Sequence, residues 1–586
     1  MVFTSTQPQL DIPTSLPIWD FLFDSDYSPL RQFLPSQLGG YINAITKEEV
    51  RYDALRELTT AISTALVRRY GLEPGQTVAL FSPNTIWYPV AMLATVRMGG
   101  IISGASPAYN VEEMAYALKT AHARFLMTVP SSLVVAVPAA AQAGIPKERI
   151  FLLEGAEDGY VTVQQLIAIG RDYGIDGQVA SFQLPGGKTN QDICGFLSFS
   201  SGTTGLPKAV MIAHSNVIAQ CMQIQQLTPA DHRRSLAVLP LFHSMFTSSP
   251  LQSNPLTLRA VTGLVHQMHL PILLNSEVYM LPSFNMKTML DTVVQYRIRE
   301  LLLVPPILIR LLNDPIVTNY DLSHVERFSS GAAPIAAEVL SQLQARFPRT
   351  GFKQGYGMTE SCSCITAHPP DKSTYAYATR GGALVANTEV KVLDVSSGEE
   401  LGVRQEGEIV ARGPQVVMGY LANETATLET FSGPGGRWLH TGDVGFVDEE
   451  GFVTITDRIK EMIKVKGVQV SPAELEDLLL SHEAVDDVAV TGVADDYAGE
   501  KPKAYVVRAP GSPADIDGLV DVGRQILEFV RARKVRDKWL VEVEFVNEVP
   551  KSASGKILRR VLRDRERNPV EGKRLVVRDE RTRAKL

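Results

Sequence analysis

Cysteine is scarce in this 586-residue sequence: Cys194, Cys221, Cys362 and Cys364 are all there is, too few for a disulfide framework, and this usage points to a reducing compartment. Long apolar runs are lacking as well. The stretch Val90 to Ile102 is broken by Arg97, Gly99 and Gly100, well short of the ~20 residues of a membrane-spanning helix. Neither sign of charge dominates. Lys and Arg number 57 against 64 Asp and Glu, a formal net charge of −7, which offers no electrostatic case for a nucleic-acid or anionic-membrane surface. Met1 to Leu10 is polar and lacks the basic-then-apolar layout of a secretory signal. Internal repeats and low-complexity tracts are also missing.

What is present is the composition of a globular protein, 45% hydrophobic and 21% charged, at a length that predicts two or more domains. From Tyr52 to Gly187 a helical pattern (Ala54 to Tyr70) alternates with short apolar runs (Thr77 to Phe81, Ala123 to Val129, Arg149 to Leu153), the texture of an α/β layered domain with a largely parallel sheet. A second alternating block, Gly195 to about Thr366, holds the strand candidates Leu236 to Leu239, Val278 to Leu281 and Glu300 to Val304. From Ser373 to Ile455 short β-rich runs (Val390 to Leu393, Gly407 to Ala411, Phe452 to Ile455) between Gly, Asp, Asn and Glu clusters suggest a small β-barrel. A smaller α+β unit follows to near Arg563, then a charged tail expected to be loose. Residues 247–261 have neither helical nor strand period; they are a surface loop or translated sequence from a misplaced exon boundary, which transcript sequencing decides.

The strongest local signal runs from Leu197 to Val210, where Ser200, Ser201, Gly202, Thr203, Thr204 and Gly205 precede Lys208. Glycines admit close backbone approach to an anion, hydroxyls and amides donate hydrogen bonds, and the lysine supplies countercharge. The spacing departs from the Gly-x-x-x-x-Gly-Lys-Ser/Thr loop, since Lys208 stands three residues beyond Gly205 and is followed by Ala209. Downstream, Ser330-Gly-Ala-Ala-Pro334 reads as a tight strand-to-helix turn, and Gln354-Gly-Tyr-Gly-Met-Thr-Glu360 gathers a ring, a hydroxyl and a carboxylate. Tyr356 suits stacking on a purine, Thr359 a phosphate oxygen, and Glu360 a hard divalent cation such as Mg2+.

These segments resemble the signature blocks of the adenylate-forming superfamily, in detail its 4-coumarate–CoA ligase branch, over roughly Tyr52 to Arg560. The resemblance implies an α/β fold: a large N-terminal domain of two α/β subdomains plus a small β-barrel, residues 1–457, and a mobile smaller α+β C-terminal domain, residues 458–565. Residues 566–586 are then a charged tail. The implied activity is ATP-dependent ligation of an aromatic or medium-chain carboxylic acid to coenzyme A through an acyl-AMP. A luciferase-like oxygenase shares every motif, and a non-catalytic nucleotide-binding relic is the further alternative. Intact Lys208, Glu360, Asp443 and Lys556 speak against a relic.

The resemblance also assigns roles. Ala332, Gln354 and Gly355 lie near the nucleotide. Asp443, in Trp438-Leu-His-Thr-Gly-Asp, accepts from both ribose hydroxyls, with Arg458 beside it. Lys460 is the hinge pivot, and Gln469 adds to the nucleotide side. One orientation of the mobile domain brings Lys556 to the α-phosphate; the other withdraws it and presents Lys464, with Lys466 and Gly467 along the coenzyme A path. On spacing alone Lys464 and Lys466 equally suit a solvated basic face. His243, in Pro-Leu-Phe-His, borders the acyl pocket, although such a His is often a core residue; Phe246 replaces a Gly usual in the family. Cys362 and Cys364, read as alternate strand residues on one face, line or support the acyl pocket and form no zinc set. Ala584-Lys585-Leu586 resembles a peroxisomal address read by an import receptor, an incidental basic tail being the alternative.

Overall fold

The computed structural model describes residues 1–200, 207–241, 263–331, 335, 337–433, 437–459, 461–465, 468–495, 498–513, 515–551, 557–567 and 574–579. Its first sheet has eight strands in the order Gly419–Tyr420, Lys208–Ala213, Cys194–Ser200, Ile101–Ala105, Thr77–Phe81, Ala123–Thr128, Ile150–Leu152 and Val161–Thr162. The strands from Cys194–Ser200 to Val161–Thr162 pair in parallel, with helices between them. Tyr52–Arg68 is one of these helices; its Leu55, Ile62 and Leu66 recur at helical spacing and are fully buried. The apolar run near Val90 is the helix Trp87–Arg97, buried on every side. It is a core helix, and no helix among the described residues is long and apolar enough to cross a membrane.

A four-stranded sheet pairs Arg234–Ala237 and Glu277–Met280 with Gly40–Asn43 and Glu49–Arg51, and a five-stranded sheet joins Glu300–Leu303, Arg327–Ser330, Gly351–Met358, Ser363–Ala367 and Ala383–Leu384. The second α/β block is therefore not contiguous in sequence. Its first strands, Cys194–Ser200 and Lys208–Ala213, complete the first sheet, while Gly40–Asn43 is borrowed from before the first block. Period-2 patterns identify strands but not their neighbours.

The β-rich region from Ser373 forms a six-stranded antiparallel sheet whose edge is the N-terminal Val2–Thr4; no pairing that closes it into a barrel is present among the described residues. The last sheet comprises Val468–Val470, Ile463–Val465, Gly499–Arg508, Val485–Asp495, Glu542–Phe545 and Leu575–Arg578. Leu575–Arg578 lies in the stretch expected to be a loose tail, yet it pairs antiparallel with Glu542–Phe545. Cores divide accordingly: the large hydrophobic clusters end by Val453, and a separate one runs from Ile463 to Val577.

Candidate active site

The hydroxyl- and glycine-rich segment joins two antiparallel strands whose last and first residues, Ser200 and Lys208, are register partners. Lys208 is thereby fixed at a strand end, and its Nζ lies 4.7 Å from the centre of the Tyr420 ring, a cation–π contact. The Tyr420 hydroxyl donates to Glu360 Oε1 at 2.8 Å. Burial first, then the nearby Glu360 carboxylate, raises the Tyr420 pKa above the usual phenol range. Glu360 itself is 5% exposed. It occupies the short 3-10 turn Thr359–Ser361, which Cys362 closes in the left-handed region at φ 53°. Cys362 therefore does not share a strand face with Cys364. Only Cys364 belongs to Ser363–Ala367.

Tyr356 lies on Gly351–Met358 and donates its hydroxyl to Asp443 Oδ2 at 2.9 Å. Asp443 Oδ1 pairs with Arg458 Nε at 2.8 Å. Asp443 and Arg458 are cross-strand partners on Trp438–Val447 and Val453–Arg458. The register slip against Gly407–Arg412 and the left-handed Gly442 (φ 69°) bend this strand beside Asp443. Burial, then Asp443, pushes the Tyr356 hydroxyl pKa well above its ordinary value. Asp443 in turn raises that of Arg458. The result is a buried carboxylate, 3% exposed, held between a phenol and a guanidinium.

Gln354 packs inward, 9% exposed, and its side-chain amide donates to the Ala378 carbonyl. Gly355 opens the opposite face: a Cβ there would lie 3.3 Å from the Thr366 carbonyl and 3.6 Å from Cys364 Sγ. Gly331 abuts the Gly355 carbonyl, and Ser330 Oγ next to it is buried without a hydrogen-bond partner among the described residues. Thr359 is 3% exposed. Lys464 is exposed on the C-terminal sheet. Among the described residues no contact links its side chain to the Tyr356 and Glu360 cluster; its backbone N–H donates to Glu500. Ser201, Gly202, Thr203, Thr204, Gly205, His243, Ala332, Lys460, Lys466, Gly467 and Lys556 lie outside the described residues, as do the Gln469 side chain, residues 247–261 and Ala584-Lys585-Leu586.

Sequence reasoning missed Tyr420, whose strand Gly419–Tyr420 is two residues long. The glycine before it, Gly419, was the available signal; the structure puts it at φ 131°, a bend where backbone needs glycine. A pocket of about 460 Å³ lies elsewhere, at the N-terminal ends of the parallel strands beginning at Arg234, Glu277 and Arg327, remote along those strands from the Gly355–Glu360 turn.

Residues 41–421 match the model of the AMP-binding enzyme family, and residues 474–556 match its C-terminal domain. A 4-coumarate–CoA ligase 2 of Oryza sativa subsp. japonica is 35% identical over 581 residues, covering 96% of this chain and 94% of that protein. The peroxisomal OPC-8:0-CoA ligase 1 of Arabidopsis thaliana is 33% identical, covering 89% of each. Among solved structures, ATP-bound MatB from Rhodopseudomonas palustris superposes with a TM-score of 0.78 at 25% identity, over 94% of this chain and 99% of that one. The chain belongs to the AMP-binding enzyme family.

Proposed function

We propose that the protein is an ATP-dependent carboxylic acid–CoA ligase that acts through an acyl-AMP. A substrate carboxylate oxygen attacks the α-phosphorus of ATP and pyrophosphate leaves; the thiol of coenzyme A then attacks the acyl carbonyl, AMP leaves, and the thiol proton goes to solvent. Relatives named as 4-coumarate–CoA ligases, similar over 96% of this chain, support the activity and favour an aromatic acid. The single observation that carries the site is the buried Asp443 carboxylate beside Tyr356 and Arg458, an acceptor pair suited to the vicinal hydroxyls of a ribose.

Lys208 takes phosphate charge at the end of the hydroxyl-rich segment, and Tyr356 offers its ring to the adenine. Gln354, Gly355 and Thr359 shape the same turn, with Ser200 to Gly205, Ala332, Lys460 and Gln469 in the nucleotide roles that the family implies. Lys556 serves adenylation; Lys464, Lys466 and Gly467 serve the thiol step, and His243 borders the acyl carboxylate. Glu360 fits Mg2+ as a lone buried carboxylate, since this ion takes one or two carboxylates plus phosphates and water. When bound, the ion offsets phosphate charge.

The alternatives of an oxygenase and a relic have no observation in their favour. Release of AMP that requires both an acid and coenzyme A, across a panel of aromatic and medium-chain acids, is the expected result; ATP binding without such release in any combination contradicts the proposal. Ala584-Lys585-Leu586 is proposed as a peroxisomal address, supported by the peroxisomal relative. A fluorescent fusion lacking those three residues is expected to leave the organelle.

A further inference from the structure

On the outer face of the six-stranded antiparallel sheet stand three side chains that acid activation leaves unused. Phe431–Ser432 is a short strand of that sheet, and it pairs antiparallel with Trp438–Val447 so that Ser432 lies opposite Trp438. His440 follows Trp438 by two residues and points to the same side, diagonal to Ser432. Gly407–Arg412 pairs along the other edge of Trp438–Val447 and brings Glu408 to His440. The opposite face, with Leu439, Ile409 and Ala411 fully buried, is core.

Hydrogen bonds join the three in a row. His440 Nδ1 lies 3.0 Å from Glu408 Oε2, and His440 Nε2 lies 2.7 Å from Ser432 Oγ. A carboxylate only accepts, so Nδ1 carries the imidazole proton. Nε2 of the neutral ring then keeps its lone pair, and the serine hydroxyl donates to it. Glu408 is itself held, because its other oxygen accepts the Gly442 N–H at 3.1 Å. Its hydrogen bond raises the His440 pKa above the ordinary 6.5, so the carboxylate also stabilises the imidazolium that forms when Nε2 takes a proton. Ser432 is exposed. Gly433 directly after it turns the chain at φ 91°, and its N–H has no backbone acceptor among the described residues. An N–H on the residue after a nucleophile is placed to bind the oxyanion that forms at an attacked carbonyl.

We infer that Ser432 is a nucleophile with His440 as its general base, and that this surface hydrolyses carboxylic esters of acidic alcohols such as phenols. The activity goes beyond acid activation and requires neither ATP nor coenzyme A. Such a constellation is recognised by geometry and roles, whatever the fold that carries it. Ser432 Oγ attacks the ester carbonyl carbon while its proton passes to His440 Nε2. The bond from that carbon to the phenol oxygen then breaks, and the phenol leaves with the proton. Water, deprotonated by the same nitrogen, cleaves the Ser432 ester, which frees the acid and restores the hydroxyl. An exposed serine at a sheet edge encloses little of a substrate, so little binding energy is available to lower the barrier. This restricts the site to donors whose leaving group departs readily and excludes amides. Glu408 touches no substrate; it is a positioning residue that fixes the tautomer and orientation of His440.

The test uses the full-length protein without nucleotide, in mildly alkaline buffer where the base is neutral, with a fluorophosphonate probe and 4-nitrophenyl butanoate. The parent is expected to be phosphonylated on Ser432, as read by peptide mass spectrometry, and to release nitrophenolate. Ser432→Ala is expected to lose the label and nearly all ester turnover, with a thermal midpoint close to the parent's, which shows that it is folded. Ser432→Cys is expected to be acylated by the ester at the same position, an outcome that a merely structural hydrogen bond would not give. His440→Gln is expected to slow labelling and turnover about 100-fold, the low end for a general base. Glu408→Gln is expected to lower kcat for the ester by about tenfold or more with KM unchanged. Labelling of other residues only, ester turnover that survives in Ser432→Ala, or equal labelling rates in the parent and His440→Gln overturns the inference. A Glu408→Gln variant with the parent's kcat overturns it as well.

Discussion

Asp443 and Tyr356 are 87 residues apart in sequence and 2.9 Å apart in space. Tyr356→Phe removes a hydroxyl donor from a buried carboxylate, and Asp443→Asn removes the charge that Arg458 faces. Each is expected to raise the KM for ATP by about tenfold, equivalent to ~1.4 kcal/mol, with the thermal midpoint little changed for the phenylalanine variant. Nucleotide titration against initial rate checks both. That Asp443 and Arg458 lie together was legible in the sequence, because each sits in a short recognisable block, and the structure makes them cross-strand partners joined by an ion pair. Their bond to the Tyr356 hydroxyl was not, because cross-sheet pairing at that separation leaves no local trace. Tyr420 was invisible for a similar reason: its hydroxyl matters only because the fold carries Glu360 to it.

At the scale of single elements, the first helix, Ile18–Phe23, shows how a missing cap is supplied from elsewhere. Pro17 at its start offers no side-chain acceptor, so the Ile18 N–H donates instead to His214 Nδ1 at 3.1 Å. This requires a neutral imidazole, and burial lowers the His214 pKa to about 3 from its ordinary 6.5. A histidine with a lowered folded pKa binds fewer protons in the native state than in the unfolded one. Its full contribution is present above pH 6.5 and is lost as pH falls toward 3. His214→Leu is expected to cost about 1–3 kcal/mol at pH 7.5 by stranding the Ile18 N–H. It should also flatten the decline of stability between pH 6.5 and 3, as read by denaturant melts across that range. The main α/β elements, such as Tyr52–Arg68 and Thr77–Phe81, were legible from apolar periodicity. The borrowing of Gly40–Asn43 by a later sheet was not, since strand order is set by packing between distant segments.

Across the whole molecule, the C-terminal unit holds the clearest departure from the sequence reading. Residues 566–586 were expected to be a loose charged tail, yet Glu566 and Arg574 in that stretch are tied into the folded unit. Lys503, 1% exposed, pairs with Glu542, Glu544 and Glu566, and the fully buried Glu544 also receives Arg574 and Arg565. Removing residues 574–586 deletes the strand Leu575–Arg578 and takes Arg574 from Glu544. Breaking a buried ion pair in this way costs about 3–5 kcal/mol. The truncated chain is expected to gain a separate low-temperature unfolding transition while the transition of the larger N-terminal part stays in place. Charge runs read as solvent-facing only until their partners, here 21 to 63 residues upstream, are known.

The central claim, that this chain joins an acid to AMP before coenzyme A takes the acyl group, has one direct measurement. An acid labelled with 18O in both carboxyl oxygens is turned over with ATP and coenzyme A, and the released AMP is weighed by mass spectrometry. The account predicts one 18O in each AMP, carried from the carboxylate to the α-phosphate. Turnover that yields unlabelled AMP, or ADP in its place, contradicts it.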